Sequence, residues 1–249
     1  MDIAPDDRGE NIRREICLTL EQMGIYPERS HHEQGPGQNE IDFRYSDPLT
    51  AADNAMTFQT VVKTVAGCNG LIADFSPKPL ADKPGNGFHI NISAKADDNS
   101  DYLHQIIAGI LAKVCDMTLF LNPLNCSYQR FGNDKAPQYI SWSSENRSQL
   151  IRIPAAVGKY RRAELRSPDP TANSYLAFAL MIYAGLYGIQ NHLQLAEPTD
   201  INLYKANADV LSKFKMLPSS LRDACESALN SDFIKQHIPN EILEIYCHR

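Results

Sequence analysis

Three sets of polar residues in this 249-residue chain have types and spacings that could do chemistry. His89, Asn91 and Ser93 alternate with Phe88, Ile90 and Ile92. In a strand the polar three would share one face and the apolar three the other. Arg162, Glu164 and Arg166 alternate with Ala163 and Leu165 in the same way. Glu33 and Glu40 flank a polar, glycine-rich stretch running from His31 to Asn39. Carboxylates with a single histidine suit a hard or borderline divalent ion such as Mg²⁺ or Mn²⁺, and no thiolate is placed to favour zinc. The arginines suit phosphate or carboxylate, because a guanidinium donates through a planar fork and stays charged. Metal, arginine and a glycine-rich loop are the parts that phosphoryl transfer uses. Each set also has a plainer reading: a structural histidine, a solvated Arg-Glu-Arg face with cross-strand ion pairs, and two unrelated glutamates. Walker, G-x-G-x-x-G and H-E-x-x-H patterns are absent, and Gly158-Lys159 lacks the upstream glycine and the following Ser or Thr. Taken alone, the residues point to a metal-assisted phosphate enzyme.

The elements that must position these residues follow from periodicity. Asp7 and Glu10 resemble a capping box ahead of Ile12, Ile16, Leu20 and Met23 at helical spacing, with Gly24 as a stop. Glu40 to Tyr45 alternates strictly and reads as a strand. Thr50 to Ala66 reads as a helix with Ala51, Ala55, Phe58, Val62 and Val65 on its apolar stripe. Leu71 to Phe75 reads as a strand, and Phe88 to Ser93 as another. A long helix is expected from Tyr102 to Leu121. Short strands follow at Gln138 to Ser143, Gln149 to Ile153 and Arg161 to Arg166. An apolar helix covers Asn173 to Ile189, and short helices cover Leu211 to Phe214, Ser220 to Leu229 and Glu241 to Cys247. The expectation is one α+β domain, a largely antiparallel sheet packed with helices.

Composition sets limits on function. Hydrophobic residues at 43% and charged residues at 22% are those of an ordinary globular chain. No apolar run in the sequence approaches the roughly 20 residues of a bilayer span. The opening Met1 to Arg8 has neither the basic start nor the apolar stretch of a signal peptide, so a cytoplasmic location is expected. Six scattered cysteines without a C-x-x-C pair fit reduced thiols. The net charge of −6 disfavours nucleic acid as a partner. Charge is unevenly spread: Asn125 to Arg166 carries a net +5, which suggests a local anion site in an acidic chain.

Five segments resemble the motifs of the glutamine synthetase family. His31-His32-Glu33 through Gly37-Gln38-Asn39-Glu40-Ile41 is similar to the family's H-H-E…G-Q-N-E-I. Pro77-Lys78-Pro79-Leu80 with Gly85-Asn86-Gly87-Phe88-His89 resembles its ATP-binding signature. Asn122-Pro123 with Asn125 to Arg130 resembles N-P…N-S-Y-K-R. Asn146-Arg147-Ser148 with Ile151 to Pro154 matches N-R-S…I-R-I-P, and Glu164 to Pro170 matches E-x-R-x-P-D-P. The resemblance covers essentially the whole chain and implies the family's catalytic-domain fold over residues 1–249. It also implies ATP-dependent joining of ammonia to glutamate through γ-glutamyl phosphate, with Mg²⁺ or Mn²⁺ as cofactor. By the same resemblance Glu33 and Glu40 hold one metal, and His89 and Glu164 hold a second that contacts the ATP phosphates. Arg130 and Arg166 would bind the glutamate carboxylates, with the Gly85 backbone near its amino group. Arg147, Arg152 and Arg162 would neutralise phosphate charge, and Asn91 and Ser93 would lie along the nucleotide. Glu33 and Arg147 are the residues placed nearest the chemistry. The implied partners are glutamate, ammonia and ATP, without nucleic acid or membrane, in a ring-shaped homo-oligomer of the full-length protein.

The sequence departs from the family pattern at two places. A metal-binding E-x-E strand and the small N-terminal β-grasp domain of family members would lie upstream of Met1, so this chain is expected to be inactive by itself. A flap glutamate that precedes Ala-Pro in the family is replaced by Lys135, next to Asp134. The exchange reverses the charge where ammonium would be deprotonated. It leaves open a γ-glutamyl ligase for another amine, or a non-catalytic relative that binds glutamate and nucleotide. Asn91 also stands where a second histidine is often found.

Overall fold

The structure, a computed structural model, describes residue 7 and residues 9–96, 100–133, 135–154 and 161–248. Asp134 and Lys159, two of the charges counted above, lie outside the described residues. The chain divides into two compact units: Met1–Phe75 with Pro79–Pro84, and Ser76–Lys78 with Gly85–Arg249.

The first unit is built from a helix α1 (Glu10–Gln22), strands β1 (Pro27–His32) and β2 (Asn39–Phe43), and a helix α2 (Pro48–Cys68). Its core joins Ile16 and Leu20 of α1 to Val61 and Val65 of α2, with Ile41 and Phe43 of β2 packed against them. Helix α1 starts differently from the capping box expected at Asp7: Gly9 is the N-cap. The Asp7 carboxylate accepts from the Gly9 N–H at 3.0 Å and pairs with Arg13. Buried Arg13 also donates to Ser30 Oγ of β1 at 3.1 Å and to Asn39 Oδ1 of β2 at 2.6 Å. These contacts tie the helix to the hairpin and engage the Asp7 carboxylate with Gly9 N–H and Arg13. Helix α2 does carry a side-chain cap, with Asp47 accepting from Thr50 N at 3.1 Å and proline at the first position. Leu71 to Phe75 is not a strand among the described residues. Ile72 is 95% exposed, and Phe75 at the end of the run turns inward, packing edge-on against Phe58 of α2 at 6.4 Å between ring centroids.

The second unit holds a four-stranded sheet and six helices among the described residues. In chain order they are β3 (Ile90–Ile92), α3 (Leu103–Leu121), a 3-10 turn over Asn125–Arg130, β4 (Trp142–Ser143), β5 (Ile151–Arg152) and β6 (Ala163–Leu165). Then come α4 (Ser174–Gln190), α5 (Ala208–Leu211), α6 (Leu221–Leu229), α7 (Asp232–His237) and α8 (Asn240–Cys247). The strand order is β3-β6-β5-β4, antiparallel except for the β4–β5 pair. Ladders of two or three residues form within each expected segment, at its end in Gln138 to Ser143 and inside it in the other three. Ile90, Ile151, Ala163 and Leu165 face the core, which α3 fills with Ile107, Ile110, Val114, Met117 and Leu121. Helix α3 corrects one expectation, because by length and composition it could cross a membrane. Two-thirds of it is buried inside this unit (67%), which accounts for its apolar character. Helix α4 begins where Asn173 Oδ1 accepts from Tyr175 N and Leu176 N at 3.0 and 3.1 Å. The short helix expected at Leu211 to Phe214 forms one turn earlier, at α5, where Asn207 caps Val210 N at 3.0 Å.

Candidate active site

In the first unit, the candidate residues sit on the β1–β2 hairpin. Its turn is specified by Gly35-Pro36-Gly37-Gln38: Gln38 N donates to Gly35 O at 3.0 Å, with proline second and Gly37 at φ +66° third. That is a type II turn, and its third position requires a residue tolerant of positive φ. The Glu33 N–H donates to Gln38 O at 2.8 Å, closing the hairpin just above the turn. Antiparallel register sets His31 opposite Glu40 and His32 opposite Asn39. His31 and Glu33, two residues apart, share a face with Glu40, and their ligand atoms lie within 4.8 Å of one another. Burial raises the Glu40 carboxyl above its usual range, with the negative charges of Asp42 and Glu33 adding to it and His31 opposing it. A carboxylate held among like charges is one that a cation would relieve. His31 was not among the residues expected to hold metal; its place opposite Glu40 depends on a pairing that its own strand does not signal.

In the second unit, the strand register builds a polar layer. Glu164 of β6 lies between Asn91 of β3 and Arg152 of β5, directly opposite both. Arg152 Nη2 is 2.6 Å from Glu164 Oε2, and Arg166 Nη1 donates to Glu164 Oε1. His89 Nδ1 lies 3.4 Å from the same Oε1. Glu164 and Arg166 are 5% and 2% exposed, so the solvated-face reading of Arg-Glu-Arg does not hold. Arg162 joins the same face through Nε, which donates to Asn91 Oδ1 at 3.0 Å. The Nε groups of Arg152 and Arg166 are buried and have no hydrogen-bond acceptor among the described residues.

Desolvation holds His89 well below the usual histidine range, helped by the positive charges of Arg166, Arg130, Arg152 and Lys135. The imidazole therefore stays neutral and keeps a lone pair for a ligand. A depressed pKa means the unfolded state takes up a proton near pH 6.5 while the folded state does not. His89 therefore stabilises the fold above that pH, and the contribution is lost as pH falls through 6.5 toward the folded value. Replacing His89 with Gln should flatten the stability profile of the second unit below pH 6.5, as measured by urea unfolding at several pH values.

The remaining candidates are placed less uniformly. Arg130, at the end of the 3-10 turn and 3% exposed, donates to Asn122 Oδ1 at 3.3 Å, Ser167 O at 3.1 Å and Pro168 O at 3.3 Å. Its guanidinium is thus engaged in holding two loops together, with Asp169 Oδ2 3.8 Å away. Gly85 packs where an added Cβ would sit 2.5 Å from Pro77 O and 2.7 Å from Arg130 Cγ. Ser93 and Arg147 are exposed. Lys135 has φ +72°, rare for a residue with a side chain, and its carbonyl accepts from Arg166 Nη2 at 3.4 Å.

Comparison with known proteins gives the family. The family model described as "Glutamine synthetase, catalytic domain" matches residues 1–249. A glutamine synthetase of Staphylococcus aureus (strain MW2) is 44% identical over 256 aligned residues, 97% of this chain and 57% of that protein. One from Staphylococcus epidermidis is 43% identical over the same spans. Two solved structures, described as "GmaS/ADP complex-Conformation 1" and "Apo GmaS without ligand", superpose with TM-scores of 0.88 and 0.85 at 28% identity. They cover 98% and 97% of this chain, and 60% and 58% of their own. The chain spans little more than half the length of the curated relatives it matches. The match of the family model along all 249 residues shows that the chain belongs to the glutamine synthetase catalytic-domain family.

Proposed function

We propose that the protein of which this chain forms the catalytic domain joins ammonia to the γ-carboxylate of glutamate at the expense of ATP, giving glutamine, ADP and phosphate. The observation that carries this reading is the layer around Glu164, in which one buried carboxylate is flanked by Arg152 and Arg166, with neutral His89 beside it. Two guanidiniums with free inward Nε donors are suited to the oxygens of a phosphoryl group or a carboxylate. Arg152 and Arg166 would orient the γ-phosphoryl and the glutamate carboxylate and offset their charge, while the burial of this layer keeps water from the acyl phosphate. The donors present fit divalent ions: His31, Glu33 and Glu40 offer two carboxylates and an imidazole, and His89 with Glu164 offers one of each. Bound at either set, such an ion would supply charge neutralisation to phosphate or carboxylate oxygens. Reduced thiols and a cytoplasmic setting are consistent with this reading.

Lys135 favours a second reading, a γ-glutamyl ligase for a different amine. Its charge adds to that already around His89, where the family places a proton-accepting glutamate. A phosphate-release assay on the full-length protein with ATP, glutamate and either ammonia or a panel of short primary amines separates the two. Ammonia should support turnover; turnover with another amine and none with ammonia would establish the second reading. In the same assay Arg147→Ala should lower turnover by about 10²–10³, the usual cost of losing one charge stabiliser of the transition state. Binding of ATP should change far less. Unchanged turnover with a raised KM for ATP would make Arg147 a binding residue only.

A further inference from the structure

Arg130 lies against the Gly85-Asn86-Gly87 turn. A Cβ on Gly85 would sit 3.2 Å from Arg130 Cδ, and one on Gly87 would sit 3.7 Å from Arg130 Nη2 and 3.1 Å from His89 Nε2. Nη2 is therefore on the side of His89, a member of the Glu164 layer. Each Nη nitrogen carries two hydrogens. Nη1 donates to Asn122 Oδ1 and Ser167 O, whereas Nη2 donates to Pro168 O and keeps one hydrogen among the described residues. All three acceptors are neutral. The acid beside the guanidinium is Asp169, which is fully buried, and it takes none of these hydrogens. Its Oδ1 accepts from Thr171 N at 2.9 Å and Thr171 Oγ1 at 2.5 Å, which fixes the carboxylate. Its Oδ2 stands 3.8 Å from Arg130 Nη1 and has no hydrogen-bond donor among the described residues. A carboxylate free to turn would take the guanidinium fork in two parallel bonds. Thr171 holds this one back, so it supplies charge without consuming a donor. Burial lowers the Arg130 guanidinium from its usual range, and the charge of Asp169 opposes that shift.

We propose that Asp169 is a positioning residue of the glutamate site, holding Arg130 by charge alone so that one Nη2 hydrogen stays available to a substrate carboxylate beside His89. The inference rests on the reading that Arg130 binds a carboxylate of glutamate. Asn122 and the two loop carbonyls set the plane of the guanidinium, and Asp169 keeps the charged group in a buried place. Without that counter-charge a buried guanidinium is strongly unfavourable and moves toward other acceptors or solvent. Coulomb attraction alone would act the other way, because removing a negative charge beside Arg130 strengthens its pull on an anion. Weaker glutamate binding without Asp169 therefore reports lost placement, not lost charge.

The test is isothermal titration calorimetry of the full-length protein with glutamate, in the presence of Mg²⁺ and ADP, so that no turnover is needed. Asp169→Asn keeps the side-chain shape and an oxygen for Thr171. It should weaken glutamate binding about tenfold, the order set by one misaligned charge-assisted hydrogen bond, and change ADP affinity less than about twofold. Arg130→Lys should weaken glutamate at least as much. The double variant should lose no more than Arg130→Lys alone, because Asp169 acts through Arg130. Losses that add in the double variant overturn that route. Unchanged or tighter glutamate binding in Asp169→Asn overturns the positioning role and leaves the glutamate reading intact. Equal losses for glutamate and ADP make Asp169 a structural residue only, which also overturns it. Unchanged glutamate affinity in Arg130→Lys, or no glutamate binding by the parent, overturns the reading of Arg130 and the proposal with it. Should Asp169→Asn fail to fold, Thr171→Val decides. It removes one hold on Oδ1, lets the carboxylate turn onto the guanidinium, and should weaken glutamate about threefold or more with ADP affinity kept. Unchanged glutamate affinity in that variant overturns the proposal.

Discussion

Glu164→Ala should destabilise the second unit by about 3–5 kcal/mol, the cost of stripping the counter-charge from a buried ion pair. The reason is the company this carboxylate keeps. Arg166 is 2% exposed and has its Nη1 on Glu164, and Arg152 Nη2 lies 2.6 Å from the other oxygen. Removing the carboxylate leaves two guanidiniums and no acid within the layer. Water reaches the pair poorly, because Glu164 and Arg166 are themselves only 5% and 2% exposed. At roughly 2–4 °C per kcal/mol for a unit of this size, the melting temperature should drop by about 6–20 °C. Glu164→Gln keeps one oxygen as an acceptor and should cost less. Arg152→Ala should cost least, since that side chain is 19% exposed and Glu164 would retain Arg166. Urea unfolding of the four proteins gives the order directly. A Glu164→Ala chain within 1 kcal/mol of the parent would show that the arginines are well solvated and that the layer is an ordinary surface.

Much of this layer was legible from residue spacing. Alternation in Phe88 to Ser93 and Arg161 to Arg166 put Ile90, Ala163 and Leu165 on one face and the polar residues on the other, and both placements hold. What spacing cannot show is whether a polar face meets solvent or the interior. The burial of Glu164 depends on the flanking strands β3 and β5, and these lie some 70 residues before and a dozen before it in sequence. Arg130 is a similar case. Its acceptors include the carbonyls of Ser167 and Pro168, and no local pattern announces a hydrogen bond across that separation. Strand β1 escaped notice because Pro27-Glu28-Arg29-Ser30-His31-His32 has no apolar alternation. It is a strand only because β2 pairs with it, and for the same reason His31 could not be placed beside Glu40. Leu71 to Phe75 failed in the opposite sense. It has the apolar composition of a strand but pairs with no strand among the described residues, and local preference does not replace a partner strand.

Two glycine-to-alanine substitutions in helices should change stability in opposite directions. The free chain responds alike to both: alanine is about 1 kcal/mol better than glycine inside a helix. At Gly67, near the end of α2, an added Cβ meets nothing within 4 Å, so the helix preference acts unopposed. Gly67→Ala should stabilise the first unit by roughly 0.4–1 kcal/mol. At Gly188 in α4 the Cβ would lie 2.0 Å from the carbonyl oxygen of Gln105 and 2.8 Å from the amide nitrogen of Gly109, both in α3. These are backbone atoms of a helix that is buried along most of its length, so neither can move without separating α3 from α4. Overpacking of this kind typically costs about 1–3 kcal/mol and sometimes more, and here the whole α3–α4 contact must open. The overlap therefore outweighs the helix preference, and Gly188→Ala should lower the stability of the second unit by about 2 kcal/mol or more. Differential scanning calorimetry on the two variants reads both signs. A neutral or stabilising Gly188→Ala would mean that α3 and α4 cross with more room between their backbones than the glycine contact implies.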